Sequence, residues 1–216
     1  MKHPLVIFTI VTPIVIWAFS SASCNKDCPD YLFYKVPYSI SPMKDTFNVG
    51  DTIWVNLDFK EELTDENGGV TNVFRNYDFR FRVSSDKMDI DPPLAQTANF
   101  FDLHSITGSD SLISLPISNI SVFSISTVEL VGIYKYQGVF ILKEKGLFWF
   151  GLGPTSDTGK FGISGNCSKV PVYIGSRVTN ESENNYHMLQ WAANPAYHKI
   201  DAKRFSDYGG YCFVVE

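Results

Sequence analysis

The clearest hydrophobic pattern in the chain is a strict alternation between residues 52 and 59. Apolar side chains occupy the odd positions, and the even positions are polar apart from Trp54. A period of two residues predicts a β-strand with one face in a core and the other towards solvent. The preceding Val49-Gly50-Asp51 suits a turn, because glycine adopts a positive φ without steric cost.

Further strand-like runs continue to the C-terminus. Residues 73–83 are mostly apolar at odd positions and predict a long strand, whereas Pro92-Pro93 predicts irregular structure across residues 84–111. Several short strands are expected between residues 112 and 150, among them Phe148-Trp149-Phe150, which is apolar on both faces and therefore predicts a strand covered on both sides. "KVPVYIG" predicts an edge strand because of Pro171, and "YCFVV" predicts the last strand.

One region favours a helix, from about Glu181 to Ala193. Asn180 and Glu183 match a capping box, and Asn194-Pro195 ends the helix and favours a short second one through Lys203. The "VGDTI" lead-in at residues 49–53 resembles the first strands of bacterial Ig-like β-sandwich modules. The sequence therefore predicts a mainly β fold over residues 35–216, an Ig-like β-sandwich with a small helical insertion before the last strand. Two subdomains divided near Lys135 are the alternative.

Residues 1–23 have the layout of a secretory signal peptide. Lys2 precedes the apolar run Leu5–Phe19, and Ser20–Ser23 is small and neutral. The run has fifteen residues, fewer than the roughly 20 that a spanning helix needs. A retained membrane anchor is the alternative.

Cys24 follows Ser21-Ala22-Ser23, and this stretch resembles the lipobox of bacterial lipoproteins. The resemblance implies that Cys24 becomes an acylated amino terminus, carrying palmitate or a similar chain, and that residues 24–34 form a tether to the membrane. Asn25 fits delivery to the outer membrane, and Lys26-Asp27 resembles the export tags of surface lipoproteins in Bacteroides-type bacteria. Ordinary signal cleavage before Cys24 is the alternative, because Ser21 stands where leucine is commonest in the lipobox.

The chain has four cysteines, at positions 24, 28, 167 and 212. If Cys24 is acylated, the sequence predicts a disulfide between Cys167 and Cys212, since each lies beside a strand-like run and an exported protein meets an oxidising compartment. In the chain-entropy model this bond would add roughly 3–4 kcal/mol of stability. Two buried free thiols are the alternative.

Charge and motifs exclude several classes of function. The formal net charge is −5, and removal of residues 1–23 takes away Lys2 and no acidic residue, which leaves −6. An acidic chain without a basic block is unsuited to binding nucleic acid. Gly153–Phe161 has the wrong glycine spacing for a phosphate-binding loop, and neither a zinc-binding helix motif nor a nucleophile elbow is present. The sequence predicts no cofactor.

Two sets of residues are candidates for binding. Asp86, Asp89 and Asp91 lie close enough along the chain to supply oxygen ligands to calcium, although the glycine and glutamate of an EF-hand loop are missing and a solvated acidic loop is the alternative. Aromatic side chains on the polar face of a strand can stack on sugar rings, although in a sandwich they are more often core residues. The candidates for such a platform are Trp54, Tyr134, Tyr136 and Tyr186.

The sequence is compatible with two functions. The first is a cell-envelope lipoprotein whose β-sandwich is a binding or structural module for a glycan or an envelope protein. The second is an envelope hydrolase acting on polysaccharide or peptide. An open sheet with an exposed aromatic face would favour the first, and clustered buried carboxylates in a cleft would favour the second.

Overall fold

A computed structural model of the chain describes residues 30–94, 96–115, 120–154, 170–179, 184–207 and 209–216. These residues form a two-layer β-sandwich with short helices before the last strand, which confirms the predicted fold class. The strands are β1 Leu32–Ser41, β2 Thr46–Phe47, β3 Thr52–Lys60, β4 Glu62–Thr64, β5 Thr71–Val73, β6 Arg80–Lys87, β7 Phe101–Thr107, β8 Ser109–Leu115, β9 Ile120–Ser126, β10 Val128–Leu130, β11 Ile133–Leu142, β12 Gly146–Pro154, β13 Val172–Val178 and β14 Tyr211–Val215. The helices are α1 Thr97–Phe100 and α2 Ala202–Asp207, together with the 3₁₀ helices η1 Tyr186–Trp191 and η2 Tyr197–Lys199.

The first layer, sheet A, has the strand order β10-β11-β3-β1-β13, with β7 pairing to β11 as well. Its strands are antiparallel except for β1 and β13, which run parallel with Leu32 opposite Val172. β13 is an edge strand among the described residues, as Pro171 predicted. The even positions of β1 and β11 and the odd positions of β3 point into the core.

The second layer, sheet B, has the order β2-β14-β12-β6-β9-β8. It is antiparallel apart from the short β2–β14 pair. β4 and β5 form a separate two-stranded ribbon. The central strands of sheet B are β12 and β6, and their inward side chains pack against sheet A.

At two places in the described chain a single residue separates a strand of one sheet from the next strand, which lies in the other sheet. β7 continues into β8 through Gly108, and β9 continues into β10 through Thr127. Gly108 has φ +83, and a Cβ at that position would lie 2.4 Å from the Ser126 carbonyl oxygen and 2.8 Å from the Tyr136 ring. Only glycine fits this crossing, because any side chain would meet both the backbone and the ring.

Aromatic rings fill much of the space between the sheets. Phe101 lies 5.8 Å from Phe148, 6.1 Å from Phe150 and 6.2 Å from Phe140, measured between ring centroids. Phe213 stacks on Phe148 at 5.8 Å. All five rings are at most 2% exposed. Burial of a phenylalanine side chain contributes about 1.5–3 kcal/mol, so this cluster is a main source of the fold's stability.

A segment we name the cover, residues 184–207, lies on the outer face of sheet B. Its apolar residues Met188, Leu189 and Phe205 share one buried cluster with Leu147 and Cys212 of the sheet. Backbone hydrogen bonds hold both ends of η1: Cys212 N–H donates to the Asn184 oxygen at 3.0 Å, and Ala193 N–H donates to the Met88 oxygen at 2.7 Å. The prediction that β12 is covered on both sides is therefore confirmed, since Phe148 and Phe150 face the core and Trp149 packs against the cover.

The structure corrects several local predictions. β1 begins at Leu32, so residues 32–34, which the tether prediction included, belong to the first strand. The predicted long strand does not form, because residues 74–79 leave the sheet around Asn76 at φ +52 and Val73 is 54% exposed. Residues 84–111 hold the end of β6, all of β7 and the start of β8 rather than irregular structure.

The predicted helix Glu181–Ala193 is a 3₁₀ helix over Tyr186–Trp191, and it begins after Asn185 at φ +58. The predicted cap residues Asn180 and Glu183 lie outside the described residues. This 3₁₀ helix lies against β14, and its six residues make it longer than most 3₁₀ helices. Within the described ranges, no helix has the length and apolar content needed to cross a membrane.

Candidate functional site

Trp54 lies on the outer face of sheet A, six positions along the β1 register from Lys35, where Asp207 of the cover contacts this sheet. It stands opposite Ser41 on β1 and Val139 on β11, and Val139 in turn stands opposite His104 on β7. The indole is 36% exposed. The odd positions of β3 are buried in the core. Trp54 occupies an even position and therefore points towards solvent. Of the four predicted platform residues, Trp54 is the one that the structure places as expected.

A shallow depression of about 300 Å³ begins at Asn56, the next outward residue of β3 after Trp54, and Trp54 itself is not part of its lining. Asn56 and Gln137 stand opposite each other across β3 and β11, one row from Trp54 and Val139. In the next row the Lys135 ammonium lies 3.1 Å from the Asp58 carboxylate. Thr107 closes the depression at the end of β7.

These side chains form a mixed polar surface beside an exposed ring. Asn56 and Gln137 each offer a donor and an acceptor, Asp58 accepts, and Lys135 donates. The Lys135–Asp58 pair is exposed at both ends, so it adds at most about 1 kcal/mol of stability and its charged groups stay available to a ligand. An indole with such neighbours can stack on a ring while the polar groups bind hydroxyls.

Tyr134 and Tyr136 do not present exposed rings, so the prediction of a platform role for them is wrong, although Tyr136 is among the residues that line the depression. Both are 1% exposed, since they alternate with Lys135 and Gln137 and face the core. The Tyr134 hydroxyl lies 2.5 Å from the Phe74 oxygen and 2.7 Å from Glu129 Oε2. Burial raises the pKa of Tyr136 to about 12. Tyr134, Tyr136 and Phe140 all occupy even positions of β11. This alternation in the sequence indicates that the three rings face the same side, which is the core.

Tyr186 is a structural residue of the cover rather than a platform. Its ring is half-buried and lies 5.5 Å from that of Phe205, and its hydroxyl donates to the Ile200 oxygen at 2.7 Å. These contacts tie η1 to the chain that follows η2. The Tyr186 ring therefore packs inside the cover.

The three aspartates of the predicted calcium site have separate surroundings. Asp86 is held under the cover, where Tyr197 donates to its Oδ2 at 2.8 Å, and Asp91 accepts from Asn194 at 2.9 Å. Asp89 is exposed. No group of three or more His, Cys, Asp or Glu in the part of the chain that the structure describes is placed to hold a metal ion. The calcium prediction is therefore corrected: these carboxylates do not converge.

Asp86, Trp149 and Cys212 form a row across β6, β12 and β14 that the sequence analysis did not connect. Burial raises the pKa of the Asp86 carboxyl, and the hydrogen bond from Tyr197 opposes part of this rise. The pairing register places these residues together, and no spacing in the sequence shows it. Within the described residues the Trp149 Nε1 has no hydrogen-bond partner.

Cys212 is fully buried in this row and has no disulfide partner within the described residues, and burial raises the pKa of its thiol. A raised pKa leaves the thiol protonated and unreactive. Its predicted partner Cys167 lies outside the described residues, as do Cys24 and Cys28. The Cys167–Cys212 disulfide and the acylation of Cys24 therefore stay predictions.

No family model and no curated protein matches this chain. Among solved structures, the second type II cohesin module of the cellulosomal adaptor ScaA scaffoldin from Acetivibrio cellulolyticus is 9% identical, with a TM-score of 0.27, and the match covers 65% of this chain and 92% of that one. A cohesin module of a family 33 glycoside hydrolase from Clostridium perfringens is 13% identical, also with a TM-score of 0.27, over 66% and 98% of the two chains. At this TM-score the likeness assigns neither a fold family nor a partner.

Proposed function

We propose that the protein is an exported, lipid-anchored binding module of the cell envelope that holds a glycan on the outer face of sheet A. The observation that carries the proposal is the position of Trp54, an indole left 36% exposed beside a polar depression on an otherwise regular sheet face. Tryptophan is enriched at binding interfaces, because its large apolar ring carries a polar N–H, and hydrogen-bonding groups lie along the same face as Trp54.

The chemistry of the surface favours an uncharged sugar chain. Amide groups of Asn56 and Gln137 present paired donors and acceptors, which suit the neighbouring hydroxyls of a sugar. The chain is acidic overall, and the one ammonium in the depression, that of Lys135, is paired with Asp58. An acidic polysaccharide would be repelled by the net charge, whereas a neutral one would not.

No observation among the described residues favours the alternative of an envelope hydrolase. Asp65 is the most buried carboxylate, at 3% exposed, and it accepts from the backbone N–H groups of Phe33 at 2.6 Å and of Gly68, which shapes a turn. Asp86 is held by Tyr197. A glycosidase needs two carboxylates facing a shared cleft, about 5–10 Å apart, and these two have separate structural partners.

The test is glycan binding by the soluble chain 24–216 with Cys24→Ser, first on an array of bacterial, plant and host glycans and then by calorimetry on the ligands found. We expect Trp54→Ala to weaken binding at least about tenfold, equal to about 1.4 kcal/mol. Trp54→Phe is expected to retain part of the affinity, because a smaller ring still stacks. Gln137→Ala should show a smaller loss than Trp54→Ala.

Trp191→Ala is the matched control. Trp191 is 58% exposed on the cover, at the other side of the molecule, so its loss removes a surface indole without touching sheet A. The proposal is contradicted if no glycan binds, or if the two tryptophan variants lose affinity equally.

A further inference from the structure

A second group of aromatic rings, two of them exposed and one half-buried, lies on the outer face of sheet A, at the end where the described chain begins. We name it the aromatic corner: Tyr31, Phe33 and Tyr173. Phe33 stands opposite Tyr173 across β1 and β13, and the Tyr31 ring meets the Tyr173 ring edge-on at 5.8 Å. Tyr31 is 48% exposed and Tyr173 is 42% exposed. The glycan surface does not use these rings.

The backbone beneath the aromatic corner is held on both sides. Leu32 N–H donates to the Pro171 oxygen at 2.9 Å, and Glu66 N–H donates to the Phe33 oxygen at 2.9 Å. The Phe33 ring lies over Gly175, where a Cβ would be 3.0 Å from it. The rings therefore project from a fixed platform rather than from a loose terminus.

The length of chain before the corner limits where it can lie. Tyr31 is seven residues after Cys24, and a fully extended chain covers at most about 3.6 Å per residue, or roughly 25 Å in all. A lipid on Cys24 would therefore hold the aromatic corner within about 25 Å of the bilayer surface.

Trp54 lies at the other end of the same face. It pairs with Ser41, the last residue of β1, whereas Phe33 is near the start of that strand. Eight residues of strand separate Ser41 from Phe33, which at about 3.3 Å per residue is roughly 26 Å. The lipid attachment and the glycan surface are therefore at opposite ends of sheet A.

We propose that the aromatic corner rests in the headgroup layer of the bilayer that holds the acyl chains of Cys24, so that sheet A stands upright and presents Trp54 away from the membrane. The inference rests on the proposed lipid anchor and is independent of the glycan. Tyrosine is enriched at membrane–water interfaces, because its ring is apolar and its hydroxyl stays hydrated.

Aromatic contact rather than charge drives the proposed docking. Among the described residues, Lys35 is a cation beside the corner: its ammonium lies 5.7 Å from the centre of the Phe33 ring and 2.7 Å from Asp207, so its charge is already paired. The net charge of the processed chain is negative, so anionic headgroups give it no electrostatic attraction. The contact should therefore persist at high salt.

The test is hydroxyl-radical footprinting of the mature lipidated chain, made from the full sequence, in vesicles of phosphatidylethanolamine and phosphatidylglycerol, read by mass spectrometry. The reference is the soluble Cys24→Ser chain, and the intact mass first establishes acylation. We expect oxidation of Tyr31 and Tyr173 to fall several-fold on vesicles, in low and high salt alike. Oxidation of Trp54 and Trp191 should be the same in both samples.

A second variant separates contact from simple proximity. In the lipidated Tyr31→Ser/Tyr173→Ser chain, both changes are at exposed positions, and we expect Phe33 to lose the protection that it shows in the unmodified chain. Any of three results overturns the inference: a mature chain without acyl groups, an acylated chain whose Tyr31 and Tyr173 remain as reactive as in solution, or equal protection of Trp54 and Tyr31, which would mean that the sheet lies flat.

Discussion

The outer faces of the two sheets differ in their exposure to solvent. On sheet B, the outward residues Leu147 and Cys212 are buried beneath the cover, together with Phe205 from α2. On sheet A, the outward Trp54 is left in solvent, and exposed ion pairs such as Lys135–Asp58 surround it. In both sheets the inward side chains pack into the shared core. The two sheets therefore differ in what their outward side chains contact.

This comparison shows how to interpret an outward apolar residue. Where a strand is apolar on both faces, as in Phe148-Trp149-Phe150, another element covers it, because an uncovered apolar sheet face is costly in water. Where an alternating strand carries a single outward ring, as at Trp54, the other outward residues are polar enough to leave the face open. The first pattern contributes to stability, and the second is the basis of the proposed binding surface.

The largest effect is expected from removing a ring beneath the cover. Phe205→Ala should cost about 3–5 kcal/mol of unfolding free energy, because it leaves a cavity between α2 and sheet B. Trp54→Ala, on the open face, should cost less than about 0.5 kcal/mol. Urea denaturation of both variants checks this, and equal losses would contradict the distinction between the two faces.

Adding a methyl group beneath the cover should have an intermediate effect. A Cβ at Gly210 would lie 2.5 Å from Trp149 Nε1 and 2.7 Å from the Phe205 ring. We expect Gly210→Ala to cost about 1–3 kcal/mol through overpacking. Gly153→Ala is the control, since its Cβ would be 3.6 Å from its nearest neighbours. If the two alanine variants unfold at the same denaturant concentration, the cover is more loosely packed than the structure shows.

A smaller effect is expected from the buried carboxyl of Asp86. Its pKa in the folded state is raised by burial, so the stability that it contributes is present below the ordinary carboxylate pKa and is lost as pH rises through the raised value. Asp86→Asn keeps an acceptor for Tyr197 and removes this loss. We expect the variant to be more stable than the unmodified chain at neutral pH, with a flatter dependence of melting temperature on pH.

Tyr197→Phe is expected to act in the opposite direction. Its hydroxyl donates to Asp86 and lowers the pKa of that carboxyl, so its removal should raise the pKa further. Melting curves between pH 4 and 8 would then show the decline in stability extending to higher pH. Parallel profiles for all three chains would show that Asp86 does not titrate under the cover.

The smallest effect separates the tryptophans by solvent contact. Trp54 and Trp191 are exposed, and Trp149 is packed against the cover. In the soluble processed chain, acrylamide should quench most of the fluorescence, and a Trp54→Phe/Trp191→Phe chain should retain an emission that is weakly quenched. Strong quenching in that double variant would mean that the cover opens readily.

Residue patterns were sufficient for much of the fold and for part of the site. The alternation in β3 gave its inward residues and placed Trp54 outside, and Pro171 gave the edge strand. The same alternation, applied to β11, would have placed Tyr134 and Tyr136 inside, so that error came from judging aromatic residues by type rather than by parity. The broken strand between Val73 and Arg80 was not predictable, because apolar residues in loops also reach the core.

The sequence by itself determined which residues face inward, because a period of two needs only the local chain. It could not determine which outward residues meet across strands, since pairing joins residues far apart in the chain. Only the tertiary structure placed Asn56 and Gln137 beside Trp54, separated the three aspartates, and put Asp86 under Tyr197. The same holds for the cover, because its place on sheet B rather than sheet A depends on contacts with β12 and β14 that no local pattern encodes.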